Sequence, residues 1–240
     1  MSTNDVRHNR KVELAGALRL FGELGYETGR WGHATVRDPG PEERYWINPL
    51  GIPFGEMRAK DLLLLDADAV PVDPAKKDVL FRGFRGQQEI HQARADAVAV
   101  LHVHSPSAVT WSSVPEFFTP FTVESASLYG LQAITDDDGT GTHSPRGTRT
   151  AAIGKQAKLL IQRGHGVVTW GGSVGEAAFL TILAERAATS ELIARAAGRV
   201  RPLEDHVVES WPISPSAAET HFKAHFAGIL AKFPEIEDDE

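Results

Sequence analysis

Two histidines one residue apart, His102 and His104, close the apolar run Ala97-Val-Ala-Val-Leu-His-Val-His-Ser105. A run this short, stopped by Ser105-Pro106, reads as a buried β-strand. Side chains alternate along a strand, so both imidazoles leave the same face, one pleat apart. Imidazoles held that way can share one metal ion if a third ligand arrives from elsewhere. His165 is the candidate, standing in Arg163-Gly-His-Gly166 just ahead of a second apolar run, Val167-Val-Thr-Trp170. There the histidine precedes its strand, whereas in the first run the histidines end it. If the two strands lie antiparallel and adjacent, all three rings meet at one rim of the sheet. The competing reading is a set of hydrogen-bonded core histidines. Three neutral imidazoles leave positions open on an ion, which would act as a Lewis acid on a carbonyl or carboxylate. They suit one divalent metal ion, zinc first, with Fe(II) or Mn as alternatives. The chain has no cysteine, which removes disulfides, thiolate catalysis and cysteine-based zinc sites.

Other residues could reach a substrate. Arg82 and Arg85 stand one helical turn apart and could clamp a carboxylate, although solvated arginines at a helix start give the same pattern. His221 and His225 have helical i, i+4 spacing with His206 upstream. Their face also carries Glu219 and Lys223, so surface histidines are the better reading than a second metal site. The acidic, glycine-rich stretch 135–144 reads as a solvated connection rather than a calcium loop. His8, His91 and His143 are given no role.

The elements that must position the histidines follow from periodicity and breakers. Leu14, Ala17, Leu18, Phe21 and Leu24 predict a helix over 9–24, ended by Gly25. A glycine-rich turn then enters a strand up to Arg37, and Tyr45–Asn48 is its hairpin partner. Leu62–Leu65 and Ala69–Val72 read as two short strands. A helix over 84–95 leads into the His-x-His strand, and Pro106 starts another helix over 106–112. Ser144-Pro145 opens a helix running to Gly164. Ser173-Val-Gly-Glu176 is a capping box for an alanine-rich helix ending at Gly198. Residues 199–216 read as a linker arm, and Ser214-Pro215 starts a last amphipathic helix through Phe222, Phe226, Ile229, Leu230 and Phe233. Strict β-α-β alternation is scarce, which predicts an α/β sandwich with a mixed, largely antiparallel central sheet. Residues 1–205 are expected to form the catalytic domain. Residues 206–240 should be a C-terminal arm and helix on the same domain or on a neighbouring subunit.

A chain of 240 residues with 42% hydrophobic and 24% charged residues is ordinary for a globular protein. Its formal net charge of −7, with no basic cluster interleaved with aromatics, argues against nucleic acid or an anionic membrane as partner. No apolar stretch is long enough to span a bilayer, and Met-Ser-Thr-Asn-Asp lacks the features of a signal peptide, so a cytoplasmic protein is expected.

With these residues in view, the chain resembles the class II aldolase/adducin family. The matching pieces are Gly32-His-Ala-Thr-Val-Arg37, Trp46-Ile-Asn-Pro-Leu-Gly51, Ile90-His-Gln-Ala-Arg-Ala-Asp96 running into His102-Val-His104, and Gly164-His-Gly166. They occur in the family's order over roughly residues 9–198. The resemblance implies a three-layer α/β/α sandwich, often a homotetramer with active sites between subunits, and a divalent metal on His102, His104 and His165. Tyr129 matches in position a tyrosine that family aldolases use to deliver a proton; its other reading is an interface or core aromatic. His33 replaces the phosphate-loop asparagine and could bind a carboxylate or shuttle a proton, or be structural. Asn48 and Gly51 would line the same loop.

Two departures separate the chain from sugar-phosphate aldolases of the family. Those carry a catalytic acid four residues before a histidine, and the matching positions here are Gly83 and Gln87. Their phosphate-binding serines become Phe81 and Arg82. A branch lacking the acid includes non-haem iron oxygenases that decarboxylate aryl keto acids, and aromatic-acid decarboxylases form another. The implied activity is a metal-dependent carbon–carbon lyase on a small, unphosphorylated carbonyl or carboxylate substrate. An iron oxygenase is the second reading, and a non-catalytic adducin-like binding module the third.

Overall fold

Residues 1–29, 31–114, 116–136 and 153–238 are described by the computed structural model. Helix α1 (Thr3–Glu23) starts earlier than its apolar repeat, because Ser2 and Asp5 form a capping box ahead of it. Leu14, Ala17, Leu18 and Phe21 are buried, whereas Leu24 is the exposed C-cap. Strands β1 (His33–Arg37), β2 (Tyr45–Ile47) and β3 (Leu63–Leu65) form an antiparallel meander. Helix α2 (Phe84–Ala93) precedes β4 (Ala99–Val103), which α3 (Pro106–Trp111) follows directly. Then come α4 (Val123–Ser127), β5 (Gln132–Thr135), β6 (Leu159–Gln162) and β7 (Gly166–Gly171). Helix α5 (Val174–Ala197) is capped by Ser173, α6 (Asp205–Val208) is short, and α7 (Pro215–Lys232) begins at Ser214.

The seven strands form one sheet in the order β3-β2-β1-β4-β7-β6-β5. Every pairing is antiparallel except β5 with β6, so the mixed, largely antiparallel sheet expected of this sequence is what forms. Period-two alternation sorts the central strands. Ala99, Leu101 and Val103 of β4 join Ala34 and Val36 of β1 in a core against α1 and α5. Val100 turns the other way, into a cluster with Ile90 of α2, Val168 and Trp170. Phe222 and Ile229 attach α7 to the first of these cores. Helices therefore cover both faces, giving three layers.

Several local expectations are corrected. The helix expected from Ser144 to Gly164 lies outside the described residues over 137–152. Its described end is instead strand β6, all four residues of which are buried. A strand covered on both faces has no polar-apolar alternation to betray it. Ala69–Val72 forms no strand: Asp66 Oδ1 accepts from the Asp68 and Val70 N–H groups at 2.9 Å each, making a turn. A single bridge joins Leu65 to Pro71. The arm over 199–216 holds the short α6. Among the described residues no helix is long and apolar enough to cross a membrane.

Candidate metal centre

Register brings the three histidines together. β4 and β7 are antiparallel neighbours with Val103 opposite Val167, so the end of one strand meets the start of the other. The potential ligand atoms of His102, His104 and His165 all lie within 4.8 Å of one another. His102 is buried, and its ring nitrogen Nδ1 lies 2.8 Å from the Val167 carbonyl oxygen. A carbonyl can only accept, so Nδ1 carries the proton and Nε2 presents a lone pair. That Nε2 is 3.0 Å from Nε2 of His104. Two imidazole nitrogens on one ion with bonds of about 2.0–2.1 Å would stand roughly 3–3.4 Å apart. Burial, reinforced by the neighbouring His33, His165 and His104 rings, keeps His102 well below the usual imidazole range. Burial and then His165 lower His104 to about 4. Neutral rings with convergent lone pairs are the form that binds a metal, so this donor set fits a divalent ion.

The surroundings of the triad are specific. His33 lies opposite His102 in the β1–β4 register, with ring centroids 5.0 Å apart. Its ring packs on Gly83, where an added Cβ would come within 1.8 Å of His33 Nε2. Gln87 is buried and donates through Nε2 to the His33 carbonyl at 2.8 Å. The positions matching the family's acid and its histidine thus serve here to seat His33. Gln87 Oε1 and the buried Gln162 Nε2 have no hydrogen-bond partner among the described residues. Trp31, absent from the sequence-based candidates, lies against His104 with ring centroids 5.3 Å apart. Its flanking glycines, Gly29 and Gly32, were the available signal.

The remaining candidates separate. Asn48 is buried, and its Oδ1 accepts the Ala34 N–H at 2.8 Å, anchoring the loop to β1. Gly51 lies in that loop and lines a cavity of about 770 Å³ with Pro49, Leu50, Ile52 and Leu80. Arg85, expected with Arg82 to clamp a carboxylate, bonds within its own chain. Its guanidinium donates to the carbonyls of Ala67 (3.2 Å) and Asp68 (2.6 Å) and to Gln88 Oε1 (3.0 Å), which commits it to the 66–68 turn. Arg82, exposed beside Gly83, has no hydrogen bond or ion pair among the described residues. Tyr129 is 63% exposed after α4 and makes no ring contact with the triad of its own chain. His221 stacks on Phe179 at 4.7 Å. Among the described residues only the triad forms a histidine or carboxylate cluster able to hold a metal.

Arg37, the arginine of the β1 motif, is structural: it donates to the carbonyls of Ala97 (3.1 Å) and His91. His91 is fully buried and lowered to about 3 by burial. Its Nδ1 donates to the Ala97 carbonyl at 2.7 Å, and its Nε2 accepts from Thr35 Oγ1 at 2.9 Å. These bonds lock α2 and β4 onto β1 beneath the site.

Over residues 12–192 the chain matches the Class II Aldolase and Adducin N-terminal domain. It is 34% identical over 188 residues to the meiotically up-regulated gene 14 protein of Schizosaccharomyces pombe, across 78% of this chain and 73% of that one. A second relative is 4-hydroxy-3-prenylphenylpyruvate oxygenase/4-hydroxy-3-prenylbenzoate synthase of Streptomyces roseochromogenus subsp. oscitans. It is 31% identical over 199 residues, 82% of this chain and 72% of that one. The solved L-fuculose 1-phosphate aldolase from Glaciozyma antarctica PI12 superposes with a TM-score of 0.88 at 26% identity, covering 98% of this chain and 94% of that one. A domain match over most of the sequence, together with the same fold in a solved relative, places this protein in the class II aldolase/adducin family.

Proposed function

We propose that this protein is a divalent-metal-dependent lyase that works on a carbon–carbon bond of a small, unphosphorylated carbonyl or carboxylate substrate. The observation that carries the reading is the convergent triad of His102, His104 and His165. An ion held there would supply Lewis acidity to a substrate oxygen and stabilise the charge left as the bond breaks. The Val167 carbonyl fixes the His102 tautomer, as an outer partner does for a metal-bound histidine. Arg82 offers a planar fork for a carboxylate at the rim. His33, whose ring neighbours His102, would bind the substrate or exchange a proton with it. Tyr129 is assigned to the site of a neighbouring copy in a homotetramer.

The substrate class follows from what replaces the family's acid and serines. Gly83 has no side chain to act as a base, and the His33 ring already fills the space above it. Phe81 and Arg82 cannot surround three phosphate oxygens with neutral hydroxyl donors. A carboxylate is flatter and suits one guanidinium. The test is metal analysis of wild type and of the His102→Ala, His104→Ala and His165→Ala variants, followed by turnover assays. Each single variant should lose most of its metal while keeping its circular dichroism. Full metal occupancy in the triple variant, or efficient cleavage of L-fuculose 1-phosphate, would refute the proposal.

The Streptomyces relative, named as an oxygenase of a phenylpyruvate, supports a second reading, a mononuclear iron oxygenase performing oxidative decarboxylation. Three histidines suit Fe(II) as well as zinc. Oxygen uptake by Fe(II)-loaded protein in the presence of phenylpyruvate would select this reading, and turnover without oxygen would select the lyase.

A further inference from the structure

Trp31 has no evident structural task, although it sits beside the triad. Of the five tryptophans in the chain, Trp111 and Trp170 are fully buried. Trp46 is held by Lys11 over its ring at 4.5 Å and by Asp38, which accepts from its Nε1–H at 2.9 Å. Trp211 is exposed on the linker before α7. Trp31 is 57% exposed, yet its indole leans on His104 at 5.3 Å with the planes 41° apart.

Its position is built. Trp31 and Thr28 face each other in an isolated antiparallel bridge, with the Trp31 N–H donating to the Thr28 carbonyl at 3.1 Å. Gly32 follows with φ +104°, and an added Cβ there would lie 2.9 Å from the Phe54 ring and 3.2 Å from the His102 carbonyl oxygen. The chain is therefore pressed between Phe54 and the strand that carries His102. This leaves Trp31 directed over the edge of the site. An indole offers a large flat face that stacks on another aromatic ring.

We propose that Trp31 determines specificity at this site, stacking the aromatic ring of a substrate whose carboxylate or 2-oxo acid group lies at the triad. The inference rests on the reading of the triad as a substrate-binding metal centre, and it narrows that reading to aryl-bearing acids. An aliphatic acid would reach the triad and Arg82 but leave the indole in water.

The experiment is calorimetric titration of metal-loaded, full-length protein with phenylpyruvate and with pyruvate, repeated after metal removal and with Trp31→Ala and Trp31→Phe. Wild type should bind phenylpyruvate about 10-fold or more tighter than pyruvate, the scale of one aromatic contact. Trp31→Ala should abolish that preference while pyruvate affinity, metal content and scattering mass stay unchanged. Trp31→Phe, which keeps a ring, should retain most of it. An intact aryl preference in Trp31→Ala would overturn the proposal, as would equal loss of both acids or a change of mass with unaltered binding. The two readings fail separately. If both acids need metal but bind equally to wild type, the stacking role is wrong and the metal centre stands. If the aryl preference depends on Trp31 but not on metal, the stacking role stands and the metal centre is wrong. Absence of binding by either acid would overturn both.

Discussion

At Gly83 the backbone is left-handed, with φ +72°, and an added Cβ would collide with the His33 ring. Gly83→Ala should therefore cost about 2–4 kcal/mol, part from the left-handed backbone and part from the clash. Shortening the neighbour as well, in Gly83→Ala/His33→Ala, removes the clash but not the backbone term. The double variant should be more stable than the sum of the singles implies, by roughly 1–3 kcal/mol in urea unfolding at constant m. Strict additivity would show that the imidazole does not press on Gly83. The two arginines also part company. Arg82→Met should weaken binding of a carboxylate substrate by about 1.5–3 kcal/mol without changing metal content. Arg85→Met should leave that affinity unchanged, because Arg85 is spent on the 66–68 turn. Equal effects from the two would contradict this assignment.

Helix α5 organises the loops around the sheet through buried carboxylates. Glu185 accepts the Ser107 and Ala108 N–H groups at 2.9 and 2.7 Å, which caps α3 directly after His104. Glu191 does the same for Thr119, at 2.9 Å from its N–H and 2.6 Å from its hydroxyl. Glu185→Ala leaves one buried and one part-buried donor unpaired and should lower stability by about 2–4 kcal/mol, with Glu185→Gln milder. A loss below about 0.5 kcal/mol in chemical denaturation would rule out this capping role. Where α1 meets α7, burial, with Glu219 close by, raises the Glu13 carboxyl to about 7, while Lys223 and Arg10 pull it down. The folded protein thus keeps a proton that the unfolded chain releases in the ordinary glutamate range. Stability from this group is complete below that range and falls as pH rises towards 7. Urea midpoints at pH 5 and pH 8 should differ less in Glu13→Gln than in wild type. An unchanged difference would assign the pH dependence to other groups.

For the whole molecule, the exposed Tyr129 and a triad at a sheet rim favour an assembly in which one copy completes the site of another. Light scattering at micromolar concentration should give about four times the 26.1 kDa chain mass. Tyr129→Phe should then lower turnover while metal content stays constant. A monomer with full activity would return Tyr129 to an ordinary surface residue. The central strands and their histidines were legible in the sequence because local alternation and strand-end breakers are short-range signals. Strand β6 was not, since burial on both faces erases alternation. The bonds of Arg85 were not legible, because helical spacing relates it only to Arg82, whereas the carbonyls that it meets belong to a turn 17–18 residues away in sequence.

The sequence by itself determined the strand that presents His102 and His104 on one face and the histidine-only donor set. Each depends on residue identity and on spacings of a few residues, which backbone geometry converts directly into direction. Tertiary structure alone decided which neighbours those residues acquired. The β4–β7 register carries His165 to the pair, the glycine at 83 makes room for His33 from another strand, and Gly32 wedged against Phe54 sets Trp31 over His104. These contacts join segments far apart in the chain, and only packing of the whole sheet and its helices determines them.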